Sequence, residues 1–276
     1  MTHQGVSWAR IMAPVAGGDS DAVVLDAAAT IAAPFEAELA AVYAPADVAD
    51  LMPWMGEGFM GGVQVAAVQS LKDAAAEGER AARTSLDACA YPRKTFTALT
   101  SPVWSALSME GRLADLVVFD DNAARGKGPL AESFQQIVAD EQRPTLVVRP
   151  GLKSGGVIAV AWDGGKEASR AARTALPLLQ KASRVVIISA PGSSSRYFEP
   201  KRLQMFFAER GVTADIHGVS DTGDAGTLLL NAAKSVSADL LVAGAFGHPR
   251  LQEFIFGGTT RSFLNAPGAP SLFLSH

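Results

Sequence analysis

Cysteine is almost absent: Cys89 is the only one among 276 residues. That excludes an internal disulfide, leaves no thiolate cluster for zinc and fits the interior of a cell. No apolar run approaches the roughly 20 residues needed to span a bilayer. The "ARIMAPVAG" segment from Ala9 is a poor signal-peptide core, so the N-terminus reads as folded, cytoplasmic protein. Neither charge sign dominates, with 24 Lys and Arg against 28 Asp and Glu and a net charge of −4. Nothing global therefore points to nucleic acid or an anionic membrane, and a small anionic ligand would need local donors. Histidine is sparse, and His3, His217 and His276 have no spacing that suggests a metal site. What the chain does have is 48% apolar residues with 19% charged, enough to bury a sizeable core.

It also repeats itself. "RIMAPVAGGDSDAVVLDAAATIAA" from Arg10 resembles "VIAVAWDGGKEASRAARTALPLL" from Val157: a short apolar run, a Gly-Gly turn, then an Ala-rich helical pattern. "ADLVVFDDN" from Ala114 matches "ADLLVAGAF" from Ala238, and "PTLVVRP" from Pro144 matches "PSLFLSH" from Pro270. Three matches in one order mean two copies of one unit. Their bounds are Ser7 to Pro150 and Val157 to His276, with the seam at "GLKSGG", Gly151 to Gly156. In each copy short buried-looking strands alternate with helical segments, which predicts an α/β fold. The expected architecture is two tandem doubly wound, mainly parallel five-stranded sheets with helices on both faces. In copy two the strands are expected at Val157 to Ala161, Val185 to Ala190, Ala214 to Val219, Leu240 to Ala243 and Leu272 to Leu274. Helices are expected over Glu167 to Leu179, Pro200 to Arg210, Thr227 to Val236 and Thr259 to Leu264; copy one has a longer second helix, about Gln64 to Cys89. The Met-rich and aromatic "LMPWMGEGFMGG", Leu51 to Gly62, reads as a glycine-rich crossover folded onto the core, with a partner-binding lid as the alternative.

The stretch "GAFGHPRLQEFIFGGTT", Gly244 to Thr260, lies at the carboxyl end of a strand, where doubly wound sheets bind ligands. Gly244 and Gly247 permit positive φ and close approach of the backbone to a bound group, with amides turned inward as anion donors. Gly257 and Gly258 precede the helix expected from Thr259, whose free N–H groups and positive dipole end attract phosphate. Arg250 and His248 lie in the same loop, and Arg250 is the better phosphate partner, being always charged and able to form two parallel bonds. The alternative is that these glycines cap, turn and pack without a ligand. "WDGGKE", Trp162 to Glu167, lacks the upstream Gly of a Walker P-loop, and no G-x-G-x-x-G follows a first strand.

A strand followed by Gly, two residues, Gly, nine residues, Gly and a small residue resembles the nucleotide-binding signature of the universal stress protein family. In that family the position after the final Gly is usually Ser or Thr. Here Gly258 stands there, with Thr259 and Thr260 following, so the hydroxyl is displaced by one residue. The resemblance covers nearly the whole chain as two units and implies the family's fold, adenine nucleotide alpha-hydrolase-like. Asp163 in "AVAWDGG" matches the acidic residue that lies near the adenine in members that bind ATP. The resemblance thus implies a stress-response regulator that binds ATP, or AMP or ADP, with Mg as companion of the triphosphate. Asp163 would take the base or sugar, Gly244 and Gly247 the ribose and nearby phosphates, and Gly257, Gly258 and Thr259 the outer phosphates.

Copy one departs from the signature. Aligned on "ADL", Asp120 and Asp121 stand where copy two has Gly244 and Ala245; Ala131 and Glu132 replace Gly257 and Gly258, and Ala16 replaces Asp163. Two acidic positions are expected to face the place where phosphates would lie, so a single competent site, in copy two, is expected. "ARGKG", Ala124 to Gly128, reads as a mobile basic loop, with Arg125 and Lys127 as an alternative phosphate contact. No carboxylate, His or metal set marks a hydrolase, and slow ATP hydrolysis through Arg250 and His248 stays open. So does a ligand-free interaction scaffold. In the family the last strands commonly pair across a dimer. "TLVVR", Thr145 to Arg149, and "SLFLS", Ser271 to Ser275, are therefore the candidate edges, for an intramolecular pseudo-dimer of the two units or for a homodimer.

Overall fold

The computed structural model describes residues 7–45, 61–99, 103–190, 199–219, 223–245 and 258–276. Strand β1 (Arg10–Val15) leads through α1 (Ser20–Ala32) and a 3-10 turn (Ala33–Phe35) to β2 (Glu38–Tyr43). After α2 (Gly61–Ala88) come β3 (Lys94–Ala98), α3 (Val103–Gly111), β4 (Leu116–Asp120), α4 (Asp121–Ala124), α5 (Ala131–Ala139) and β5 (Thr145–Val148). The second half repeats the order: β6 (Val157–Ala161), α6 (Lys166–Thr174), α7 (Leu176–Leu179), β7 (Arg184–Ser189), α8 (Pro200–Ala208), β8 (Ala214–Gly218), α9 (Ala225–Ser235), β9 (Leu240–Gly244), α10 (Gly258–Asn265) and β10 (Ser271–Ser275). Each predicted strand of copy two coincides with an observed one to within a residue or two. The helix expected over Glu167 to Leu179 is split at Ala175, just ahead of Pro177 at the start of α7. Most of the Leu51 to Gly62 segment lies outside the described residues.

The central strands are buried along nearly their whole length, as in a sheet covered on both faces. Their order is β3-β2-β1-β4-β5-β10-β9-β6-β7-β8, so the two five-stranded halves form one ten-stranded sheet. Every pairing is parallel except β5 with β10, which run antiparallel with Val147 opposite Leu272 and Leu146 opposite Phe273. The two closing strands, read as candidate pairing edges, are paired with each other inside the chain. The sheet ends instead on β3 and β8.

Two apolar layers run through both halves. One face buries Leu25, Leu39, Ile187, Phe207 and Phe273, and the other Met12, Phe119, Phe134, Leu241 and Phe263. Trp8 stacks on Phe273 at 6.3 Å and tilts against Phe35 at 5.2 Å, joining the start of the chain to its last strand. The repeated "ADL" has a physical reason. Asp115 Oδ2 accepts from the Ala9 and Arg10 amides at 2.6 and 3.0 Å, and Asp239 Oδ2 accepts from the Val157 amide at 2.8 Å. Each carboxylate pins the amino end of its half's first strand.

In both halves the strand order reverses beside the first strand, between β1 and β4 and between β6 and β9. The carboxyl ends of these pairs are where this architecture opens a crevice.

Candidate functional site

At the β6/β9 switch point Val160 is opposite Val242, so Asp163 and Gly244 lie three and two residues beyond the same rung. The topology thus brings these two predicted residues to adjacent strand ends. Gly164 bends the chain there with φ +76°, a conformation that suits glycine. Asp163 is exposed and its Oδ1 accepts from the Gly165 amide at 2.7 Å, closing an Asx turn that precedes α6.

Gly244 differs from expectation. Its φ is not positive, so it needs no left-handed conformation. A Cβ on Gly244 would instead lie 2.6 Å from the Ala168 amide nitrogen and 2.7 Å from the Glu167 carbonyl carbon. The missing side chain lets α6 press onto the end of β9; helix backbone, not a ligand, fills the space beside its Cα. The next residue is also engaged, with the Ala245 amide donating to the Ser275 carbonyl at 2.9 Å and the Ala245 carbonyl lying 2.8 Å from His276 Nδ1. His276, read from sequence only as a C-terminal residue, therefore ties the chain end to the strand end.

Gly258 has the opposite character. It is exposed at the start of α10, and a Cβ there would meet nothing within 4 Å among the described residues. In the first turn of α10 exposure thus falls from Gly258 to the half-buried Thr259 and the buried Thr260. α10 is seated on α9 by Gly226, whose Cβ would lie 2.6 Å from Ser262 Cβ. Asp224 caps α9 by accepting from the Thr227 amide at 2.8 Å, which holds its carboxyl below the usual aspartate range. Gly247, His248, Arg250 and Gly257 lie outside the described residues.

One residue escaped the sequence reading. Glu167, in the first turn of α6, is 7% exposed, and its Oε1 accepts no hydrogen bond among the described residues. The Lys166 ammonium lies 3.3 Å from that oxygen, yet its side chain is 75% exposed. The pair is an ion contact, and among the described residues no donor is aligned on that oxygen. A first-turn carboxylate in "GGKE" reads as an ordinary helix-dipole partner, and nothing in the sequence marks its burial.

The corresponding crevice of the first half is closed. Asp21, buried in α1, accepts from the Ala16 and Gly17 amides at 3.0 and 2.8 Å. Burial pushes the Asp21 carboxyl up, opposed by those amide bonds. A Cβ on Gly17 would lie 2.5 Å from Gly78 Cα, so α2 crosses directly over the turn. The Tyr43 hydroxyl donates to the Ala75 carbonyl at 2.9 Å and holds α2 there.

The expectation that Asp120 and Asp121 face a phosphate position needs correction. Asp120 Oδ1 accepts from the Ala123 amide at 2.9 Å and caps α4, while Asp121 pairs with Arg149 at 2.8 Å and with Arg125. Arg125, read as part of a mobile loop, also donates to the Leu264 carbonyl at 3.1 Å. Phe119 and Phe134 meet edge to face at 5.4 Å, and the aligned positions of the second half hold the smaller Ala243 and Thr260.

Residues 189–271 match the model of the Universal stress protein family. No curated protein matches the chain. Among solved structures, a universal stress protein from Archaeoglobus fulgidus DSM 4304 aligns over 96% of this chain and 95% of its own, at 13% identity and a TM-score of 0.63. A putative universal stress protein from Pseudomonas aeruginosa UCBPP-PA14 aligns over 97% of this chain and 93% of its own, at 16% identity and a TM-score of 0.54. Both likenesses run from end to end and show the fold.

Proposed function

We propose that this chain, which carries a universal stress protein domain over residues 189–271, is a regulatory protein that binds one adenine nucleotide, ATP foremost, in its second half. The observation that carries the reading is an asymmetry between two equivalent crevices. In the first half the turn amides are taken by Asp21 and the turn is covered by α2. In the second half the turn stands exposed at Asp163, and Gly258 is exposed at the start of α10 with no described residue beside its Cα.

Asp163 keeps a carboxylate at the strand end to accept from base or sugar. Gly258 and Thr259, with Gly257 before them, offer main-chain N–H groups to the outer phosphates. Gly247, His248 and Arg250 supply the nearer phosphate contacts in this reading. Gly244 contributes main chain only, since α6 fills the space beside it. Mg enters with the triphosphate, and no group of three or more His, Cys, Asp or Glu among the described residues forms a metal site of its own. No helix of the described residues is long and apolar enough to cross a membrane, and the nucleotide pool of the cell interior is the setting we assign. The β5–β10 pairing makes the two halves an intramolecular pseudo-dimer in this account.

Mass spectrometry and absorbance of the protein as isolated test the reading, followed by calorimetric titration with ATP. A copurifying adenine nucleotide, or ATP binding lost in Gly257→Val, supports it; a Gly257→Val protein with unchanged affinity rejects the site. Slow hydrolysis is the second reading, favoured by the buried Glu167 Oε1, a carboxylate oxygen that accepts no hydrogen bond among the described residues and is able to orient a water. Phosphate release that falls in Glu167→Gln supports it, and ATP recovered intact after long incubation rejects it.

A further inference from the structure

We propose that Arg149, at the end of β5 in the half without an open crevice, is a positioning residue for the nucleotide site of the other half. The inference rests on the nucleotide reading above. Arg149 is 7% exposed, and its guanidinium spans the junction. Nε pairs with Asp121 Oδ1 at 2.8 Å, and Nη1 donates to the Pro270 carbonyl at 3.1 Å. Nη2 donates to the Phe263 and Leu264 carbonyls, each at 2.9 Å. Arg125 adds a donor to the Leu264 carbonyl and shares Asp121. Asp121 thus anchors two arginines of the first half on the last turn of α10.

The last carbonyls of a helix have no partner within it, and a cation there also complements the dipole. Here that cap comes from the other half of the chain. α10 has eight residues, so its first turn lies only about 10 Å along the axis from the clamped end. A helix this short moves as one piece, and holding its last turn fixes where the Gly258 and Thr259 N–H groups point. The clamp is one-sided. Ser275 is the counterpart of Arg149 in the repeat, and a seryl side chain cannot make a guanidinium's set of bonds. The half that has lost its crevice holds the helix of the half that has kept one.

The test is calorimetric titration of wild type, Arg149→Lys and Asp121→Asn with ATP and, separately, with adenosine, each variant checked for native circular dichroism. Lysine keeps the charge but not the fork. In both variants ATP affinity should fall about tenfold while adenosine affinity changes by less than about twofold, because the lesion acts through phosphate donors alone. A merely structural role would weaken both ligands together. Equal losses for ATP and adenosine, or an unchanged ATP affinity in both variants, overturn the inference while the nucleotide reading stands. A wild type that binds no ATP overturns the nucleotide reading, and this inference with it.

Discussion

Two reasons for a glycine at the end of β9, ligand space and helix packing, separate on replacing Gly244 by alanine. The added methyl would lie 2.6 Å from Ala168 N, 2.7 Å from Glu167 C and 2.8 Å from Glu167 Cβ. Two of these three are main-chain atoms of α6, which cannot swing aside as a side-chain tip can. Either α6 lifts from the sheet or β9 bends. Overpacking of this kind costs about 1–3 kcal/mol, and in chains of about this size each kcal/mol moves the midpoint about 2–4 °C, so Tm should fall by about 2–12 °C. Gly258→Ala is the paired control. Its methyl meets nothing within 4 Å among the described residues and it stands in α10, so removing glycine's freedom from the unfolded chain should stabilise by about 0.4–1 kcal/mol. The same methyl narrows the mouth of α10 and should weaken ATP. Thermal unfolding followed by circular dichroism, with and without ATP, reads both variants. An unchanged Tm in Gly244→Ala, or an equal loss in Gly258→Ala, would refute the division of roles between these glycines.

Further predictions follow from the same contacts. Asp224→Ala should cost about 0.5–2 kcal/mol by uncapping α9. Because the Asp224 carboxyl is lowered from its ordinary 3.8, its contribution is full above that value and lost as pH falls through the folded pKa. Wild type and Asp224→Ala should therefore converge in acid urea titrations, and a constant gap would contradict the cap. Gly78→Ala sets a methyl against the Tyr43 hydroxyl and should destabilise by about 1–3 kcal/mol without altering ATP binding. Asp21 still holds the turn amides there, so a new nucleotide site in that variant would contradict the prediction. Phe119→Ala removes one ring of a fully buried edge-to-face pair and should cost about 3–5 kcal/mol in denaturant unfolding, again with ATP affinity unchanged.

Much of this architecture is legible in the residues because its causes are local or repeated. The apolar run before each Gly-Gly turn, the second-half strands from Val157 and Leu240, and the long helix ending near Cys89 follow from periodicity and punctuation. The "ADL" match proved to be a working contact, since Asp115 and Asp239 pin equivalent strand starts. Less was legible where a residue's role depends on what crosses it in space. Asp120 and Asp121 read as lost phosphate positions, yet one caps a helix and the other anchors arginines, because Arg149 arrives from a strand 28 residues further along. Gly244 read as a ligand glycine although α6 needs the room. Glu167 gave no signal, as burial of a helix-start carboxylate depends on how α6 seats against β9. Asp163 stands in an exposed strand-end turn and Gly258 is exposed at a helix start, positions that strand and helix punctuation alone mark in the sequence.

The central claim is one nucleotide crevice per chain, in the second half. Calorimetric titration of the purified, nucleotide-stripped protein with ATP measures it most directly. A single site per chain is expected, abolished by Gly257→Val and untouched by Gly78→Ala. Two equivalent sites per chain would contradict the asymmetry between the halves, and no heat of binding from a folded protein would contradict the nucleotide reading altogether.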